Sequence, residues 1–397
     1  GKLMEIAGGM TFFNNLAMSL MGHRRGGPAK VAVVASSSFG TLSGSTVANI
    51  MSTGIMTIPL MKRTGFSPSH ASAIEAVASN GAQLMPPVMG ATAFIMAEFL
   101  DVSYGTIVTA AIIPALLYYL VLFMQIDAIA VRDNIRGLDK SELPNMRETL
   151  RQGWIFIFPL AVLIYLMFWQ GFNPGIAALY AAGVVLIGYL ARYYKEFNLF
   201  KFISELRSVS IVLGMGMPTA AVYIVLITVI APTVIDLGIE PIAAHMFLFY
   251  FGLMSMITPP IAIGSIVAAS IGRASMWSTG FYGMKLGIMA YMLPFLWIYN
   301  PAILMNGSLI DVFLVVMHCV VGAVLIRESI LHSPVRWLPD LCWSSLLMLL
   351  ALGIGSASLW MNDNAMLMLS PIIIPILIWG KRISTSSMNS SNSALTK

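Results

Sequence analysis

The sequence predicts an all-α polytopic membrane protein built from inverted-topology repeats, each with a re-entrant helical hairpin and a broken helix. Three observations predict it. Of 397 residues, 58% are apolar and 10% charged, with a mean hydropathy of +0.84. Soluble domains carry about 25% charged residues. Apolar windows of about 20 residues, the length that crosses a hydrocarbon core, recur along the chain. Finally, one stretch rich in Gly, Pro and small polar residues occurs twice.

The first copy runs from Ser43-Gly44-Ser45-Thr46-Val47-Ala48-Asn49 to Pro86-Pro87. The second runs from Gly216-Met217-Pro218-Thr219-Ala220-Ala221 to Pro259-Pro260. A constant offset of 173 pairs Thr46 with Thr219, Ala48 with Ala221, Pro59 with Pro232, Gly65 with Gly238, Pro68 with Pro241 and Ala71 with Ala244. It also pairs the two Pro-Pro steps, and Tyr118 with Tyr291, without a gap. Prolines and glycines in one register indicate a repeated backbone. Lys62-Arg63 of the first copy aligns with Ile235-Asp236 of the second, with Glu240 close by. Basic loops stay in the cytoplasm, so the copies lie upside down relative to each other. Inverted repeats with Gly/Pro-broken polar segments are the pattern of secondary transporters.

In chain order, residues 3–21 carry Glu5, Asn14 and Asn15 and read as an interfacial or half-buried helix. His23, Arg24, Arg25 and Lys30 make a cytoplasmic loop. Residues 31–61 as one helix would be about 46 Å long, against a core of about 30 Å. Two short helices meeting at Ser43-Gly44-Ser45 fit, with both basic flanks on the cytoplasmic side. Residues 70–99 form a span broken at Asn80-Gly81 and Pro86-Pro87; the loop holding Glu98 and Asp101 is periplasmic. Residues 103–125 cross back to the basic loop 127–151. Spans at 154–170 and 174–191 return to Arg192, Lys195, Lys201 and Arg207.

There the loop parity fails. The second hairpin, 211–236, has to start in the periplasm, yet Arg207 lies on the cytoplasmic side. Either helices are missing, or 208–236 makes one ordinary span. Residues 242–270 then descend, 280–300 ascend, and spans near 309–326, 341–359 and 365–379 alternate correctly. The Ser/Asn-rich tail reads as disordered. The chain thus divides into a first repeat (1–125), connecting helices and loops (126–207), a second repeat (208–306), extra transmembrane helices (307–380) and a tail (381–397).

No nucleophile–base set suggests an enzyme: His23, His70, His245, His318 and His332 are scattered. Cys319 and Cys342 lack metal spacing and read as small buried residues. The net charge of +5 falls in loops and reports topology, not nucleic-acid binding. No phosphate-binding motif supports ATP-driven work, so transport would draw on an ion gradient or a partner. Broken helices supply carbonyls and half-helix ends that hold ions. Ser43, Ser45, Thr46 and Asn49 with Asn80, Gly81 and the carbonyls before Pro86 would form one cation site. Gly214, Gly216 and Thr219 with Met256, Ile257 and Thr258 would form its mirror. Close helix packing by small residues is the alternative for each cluster; their duplication favours a site. Glu75 reads either as a functional intramembrane carboxylate or as an ion-paired interfacial one. Tyr223 reads as pocket lining or as packing.

At these motifs the chain resembles the large membrane subunit of tripartite ATP-independent periplasmic (TRAP) transporters. The resemblance rests on Ser43–Asn49, Thr57–Gly65, Pro86–Gly90, Gly214–Ala221 and Ile257–Ala262. The runs Arg25–Lys30 and Tyr299–Ala302 resemble its TAXI branch, and about residues 1–306 are covered. The resemblance implies an elevator-type, sodium-coupled importer of organic acids, typically carboxylates, in the bacterial inner membrane. A periplasmic substrate-binding protein and a small membrane subunit would be its partners, sodium its coupling ion, with no cofactor. It implies sodium at Ser43, Ser45, Asn49, Gly81 and Pro86, and again at Gly216, Thr219 and Thr258. The carboxylate would lie between the tips, against Ser45, Thr46, Pro87, Thr219, Tyr223 and Pro260. Against the family pattern, helices are expected to be missing before Gly1 and before Gly214, as in a fragment. The rival readings are a sodium/carboxylate symporter that needs no binding protein, and a truncated membrane protein that does not transport.

Overall fold

Residues 2–172, 174–193 and 218–331 are described in the structure, a computed structural model, and every regular element among them is helical. Gly214, Gly216, the stretch where loop parity fails, Cys342, the two spans after residue 331 and the tail lie outside the described residues.

Helices α1 (Lys2–Ile6) and α2 (Gly9–Met21) lead in, with Phe12, Phe13 and Asn14 buried. The first hairpin is α3 (Gly27–Ser43) and α4 (Thr46–Arg63). Pro28 opens α3, where its missing N–H costs nothing. Gly44 ends it in the left-handed conformation, φ +59°. Ser67 caps α5 (Pro68–Asn80), accepting from His70 N–H at 3.2 Å. A 3-10 turn (Gly81–Gln83) and the Pro-Pro step separate α5 from α6 (Ala91–Leu100). Long α7 (Tyr104–Arg132) follows, then the pair α8 (Met146–Phe168) and α9 (Pro174–Tyr193).

The second copy runs through α10 (Pro218–Val229), α11 (Ala231–Asp236), α12 (Pro241–Met254) and α13 (Ile263–Gly272). It continues with α14 (Met276–Leu286) and α15 (Ile288–Tyr299), before α16 (Leu309–Leu331). The break between α12 and α13 answers the one between α5 and α6. The offset of 173 holds through the Pro-Pro steps and becomes 172 over the half-helices and caps that follow, so the ungapped register expected to run on to Tyr118 and Tyr291 is broken there. Asp101 and Arg273 both end their half-helices left-handed, and serines Ser103 and Ser275 cap the next helices. The span expected over 280–300 is interrupted at Gly287. A Cβ there would stand 2.8 Å from Ile257 Cδ1, so α14 and α15 part where the second break presses against them.

The copies interlock. α13 packs on α4 and α5 of the first copy, while α6 packs on α10 and α12 of the second. The ends that charge placed in the cytoplasm meet at one pole. Leu138 N–H donates to Gly22 O at 2.8 Å and Gly26 N–H to Ile135 O at 3.2 Å. Lys62 Nζ donates to Gly272 O at 2.8 Å, and Arg63 pairs with Glu142. Asp127 accepts from Lys30 at 2.6 Å and pairs with Arg25 at 3.2 Å and Arg327 at 3.5 Å. On the other side, Asn306 Nδ2 donates to Glu240 Oε2 at 2.8 Å, joining two loops read as periplasmic. Four helical stretches among the described residues are long and apolar enough to cross a membrane.

Candidate functional site at the two helix breaks

The first tip is set by backbone contact. Ser45 caps α4, accepting from Ala48 N–H at 3.4 Å, so its hydroxyl satisfies a helix-end donor. A Cβ on Gly44 would stand 2.6 Å from Gly90 Cα; one on Gly90 would stand 2.6 Å from Gly44 O. Both residues have positive φ, +59° and +76°, which glycine adopts without steric cost. The hairpin tip therefore rests directly on the chain leaving the Pro-Pro step.

Tyrosines answer several carbonyls around the first break. Tyr118 and Tyr119 of α7 donate to Val77 O at 2.7 Å and Ala78 O at 3.0 Å. Tyr104 reaches Pro87 O at 2.8 Å and Val88 O at 2.6 Å. Irregular backbone at membrane depth requires such partners. Gly81 lies against the two tyrosine rings, with Tyr118 Cε1 2.4 Å from where its Cβ would be. Both Pro-Pro bonds, Pro86-Pro87 and Pro259-Pro260, are cis.

The copies meet at Gln83. Its amide nitrogen donates to Thr46 Oγ1 at 2.8 Å and lies 3.5 Å from Thr219 Oγ1. Thr46 Oγ1 in turn donates to Asn80 Oδ1 at 3.1 Å. Thr46, Asn80, Gln83 and Thr219 are all buried. Thr46 stands at the N-terminus of α4, whose partial positive end faces this cluster, an arrangement suited to an anion, and Thr219 joins it from α10 of the second copy. Gly264, opening α13, lies close to the Thr46 methyl, 3.3 Å from its own would-be Cβ. Gln83 escaped the sequence reading. A lone amide between Asn80 and the prolines was the signal, and its partner at offset 173, Met256, gave no echo of it.

The remaining candidates are placed as follows. Asn49 is buried one turn below the tip; its amide donates to Ser36 O at 2.9 Å. Ser43 is the last residue of α3. Thr258 follows α12, donates to Met254 O at 2.5 Å and contacts the Tyr291 hydroxyl. Pro87 is half-buried and Pro260 exposed. Tyr223 is not brought to the Gln83 cluster by any hydrogen bond. It is fully buried between α10 and α12, with its hydroxyl 2.8 Å from His245 Nδ1 and its ring edge-on to Phe249.

Paired broken helices in a multi-pass helical membrane protein define the transport class. The family described as "Tripartite ATP-independent periplasmic transporter, DctM component" matches residues 1–209 and 202–312. The chain belongs to that family, the large membrane subunits of TRAP transporters. The two matched segments join at the stretch where loop parity fails. The chain is similar to the C4-dicarboxylate TRAP transporter large permease protein DctM of Pseudomonas aeruginosa. It is 22% identical over 321 residues, covering 68% of this chain and 75% of the relative. The sialic acid TRAP transporter large permease protein SiaM of Vibrio cholerae is 21% identical over 344 residues, 74% of this chain and 79% of its own. The ectoine/5-hydroxyectoine large permease protein UehC of Ruegeria pomeroyi is 32% identical over 151 residues, 38% of this chain and 35% of its own. These relatives are permeases, and the chain is a transporter component, not an enzyme.

Proposed function

We propose that the chain is the permease subunit of a sodium-coupled secondary transporter that imports organic acids across the bacterial inner membrane. A periplasmic binding protein would deliver the substrate, and a small membrane subunit would hold the permease in place. One cation would bind near the first tip, at Ser43, Ser45, Asn49, Gly81 and the backbone around Pro86. A second would bind near Gly216, Thr219 and Thr258. The substrate carboxylate would lie between the helix ends led by Thr46 and Thr219, bordered by Ser45, Pro87 and Pro260, before the unit moves as an elevator.

The observation that carries this reading is the meeting at Gln83 of Thr46, at the N-terminus of α4, with Thr219 of the second copy, close in sequence to the first Pro-Pro break. A helix N-terminus favours an anion and an unwound segment favours a cation. The substrates after which the relatives are named supply the substrate class. The test is uptake into proteoliposomes holding the permease, its small subunit and its binding protein, with labelled C4-dicarboxylate, sialic acid and ectoine as probes. Uptake of an acid that needs an inward sodium gradient, and that weakens in Ser45→Ala and Thr219→Ala, is the expected result. Sodium-independent uptake, or unchanged sodium dependence in both variants, rejects the assignment.

A further inference from the structure

Glu75 lies midway along α5 and is fully buried. Its Oε1 accepts from Ser36 at 3.0 Å, Thr53 at 2.5 Å and Ser79 at 3.0 Å. Thr57 Oγ1 stands 2.5 Å from its Oε2. No cation among the described residues pairs with it, so the interfacial ion-pair reading of Glu75 fails. The other groups facing it are accounted for. On α3, Lys30 pairs with Asp127, and on α4, Lys62 is bonded to Gly272 O. On α7, the Tyr119 phenol donates to Ala78 O. α13 carries no ionisable side chain. On α14, Tyr282 stacks with His70 of α5, and Lys285 lies over the Tyr282 ring.

The repeat provides an internal control. At the offset of 173, Glu75, Thr53, Thr57 and Ser79 become Leu248, Leu226, Ile230 and Gly252. The second copy builds the same helix pair without a single polar side chain at these four places. The carboxyl and its hydroxyls are therefore not a packing requirement of the architecture. A buried carboxylate without a cation is expensive to keep, which calls for another reason for its presence.

We propose that Glu75 is an exchangeable proton-binding site. The hydroxyls can serve both of its states, because each owns one hydrogen and two acceptor positions. Thr57 Oγ1 also lies 3.1 Å from Thr53 O. When Glu75 is ionised, Thr57 turns its hydrogen to Oε2. When a proton binds Oε2, the acid donates to Thr57 Oγ1, and Thr57 donates to the Thr53 carbonyl. One hydroxyl rotation exchanges the two arrangements and leaves no partner unmet. The contacts favour a proton over a metal ion. Oxygens 2.5 Å apart are bridged well by hydrogen. A hard cation seated between them, about 2.3–2.6 Å from each oxygen, would force them apart. The site also touches the first tip: Thr53 Oγ1 lies 2.8 Å from Asn49 O and 3.4 Å from Asn49 Oδ1. The assignment goes beyond the sodium reading and stands without it.

The test is infrared difference spectroscopy of the full chain in lipid nanodiscs, stepped between acidic and alkaline buffer. Wild type is expected to show a protonated-carboxyl band that comes and goes with pH, shifts in heavy water and is missing from Glu75→Gln. Thr57→Val keeps the carboxyl but removes the partner of Oε2, and is expected to move the midpoint of that band by about one pH unit. A wild-type spectrum without a pH-sensitive band beyond that of Glu75→Gln overturns the proposal. If Glu75→Gln does not fold, Thr57→Val decides, and an unmoved midpoint overturns it equally.

Discussion

Thr46 of the first repeat and Thr219 of the second share a single hydrogen-bond donor. The Gln83 amide lies 2.8 Å from the first hydroxyl and 3.5 Å from the second. Gln83 thus bonds one half of the repeat to the other. Gln83→Met installs the residue that the second repeat carries at the matching place and keeps the volume. It is expected to destabilise the protein by about 1–3 kcal/mol, because Thr46 loses a buried donor. Thermal unfolding in detergent measures this. Thr219→Ala should then cost less in the Gln83→Met background than in wild type, a coupling of about 0.5 kcal/mol or more.

Ser45 caps α4 and is proposed to bind sodium, and one substitution can separate the two. Replacing a serine cap by glycine costs only a few tenths of a kcal/mol, whereas alanine costs about 1 kcal/mol. Neither retains an oxygen for a cation. Ser45→Gly is therefore expected to leave the melting temperature almost unchanged while lowering the apparent sodium affinity of uptake. Equal sodium affinity in Ser45→Gly and wild type would assign Ser45 to capping alone.

The glycine contact at the first tip predicts a graded pair of variants. Gly171 has φ +66° and nothing within 4 Å of an added Cβ. Gly171→Ala thus carries only left-handed backbone strain, about 1–2 kcal/mol. Gly90, at φ +76° and ψ 174°, lies in a region open essentially to glycine alone, and the methyl group of Gly90→Ala also runs into the Gly44 carbonyl oxygen. Its loss of stability should exceed that of Gly171→Ala, and uptake should fail with it. Matched melting curves and transport assays on the two variants test the ordering.

Asp127 anchors the pole where the basic loops meet. Lys30 is 7% exposed at its side chain and Asp127 21%, so the pair sits largely out of water. Asp127→Asn strands the Lys30 ammonium and is expected to cost about 3 kcal/mol. Arg25 is 52% exposed, and Arg25→Ala should cost under about 1 kcal/mol. The double replacement Lys30→Met with Asp127→Leu should recover much of the loss, since two apolar groups need no partner. Chemical unfolding of the three variants beside wild type decides it.

The hairpin tip and both Pro-Pro breaks were legible in the sequence because Gly and Pro act on the backbone where they stand. The arrangement of loops was legible because charge sorts itself across a bilayer: Lys62 does find Gly272, and Asn306 finds Glu240. What escaped depends on neighbours distant in sequence. Gly287 parts α14 from α15 with Ile257, distant in sequence, packed where a Cβ would stand. That Tyr118 and Tyr119 take the carbonyls of Val77 and Ala78 has no local sign in the sequence. Gln83 carries no repeat signature, since Met256 replaces it in the other copy. Glu75 was seen but not resolved, because its four hydroxyl partners come from three helices.

The bond from Lys62 to the Gly272 carbonyl closes a loop of 210 residues. A ribosome adds about 5–20 residues per second, so the first hairpin leaves it roughly 10–40 s before α13 exists to cover α4 and α5. Through that interval the Thr53–Glu75 surface waits half-assembled in lipid. Biogenesis of this chain therefore depends on whatever shelters a nascent hairpin beside the insertion machinery until its counterpart is made.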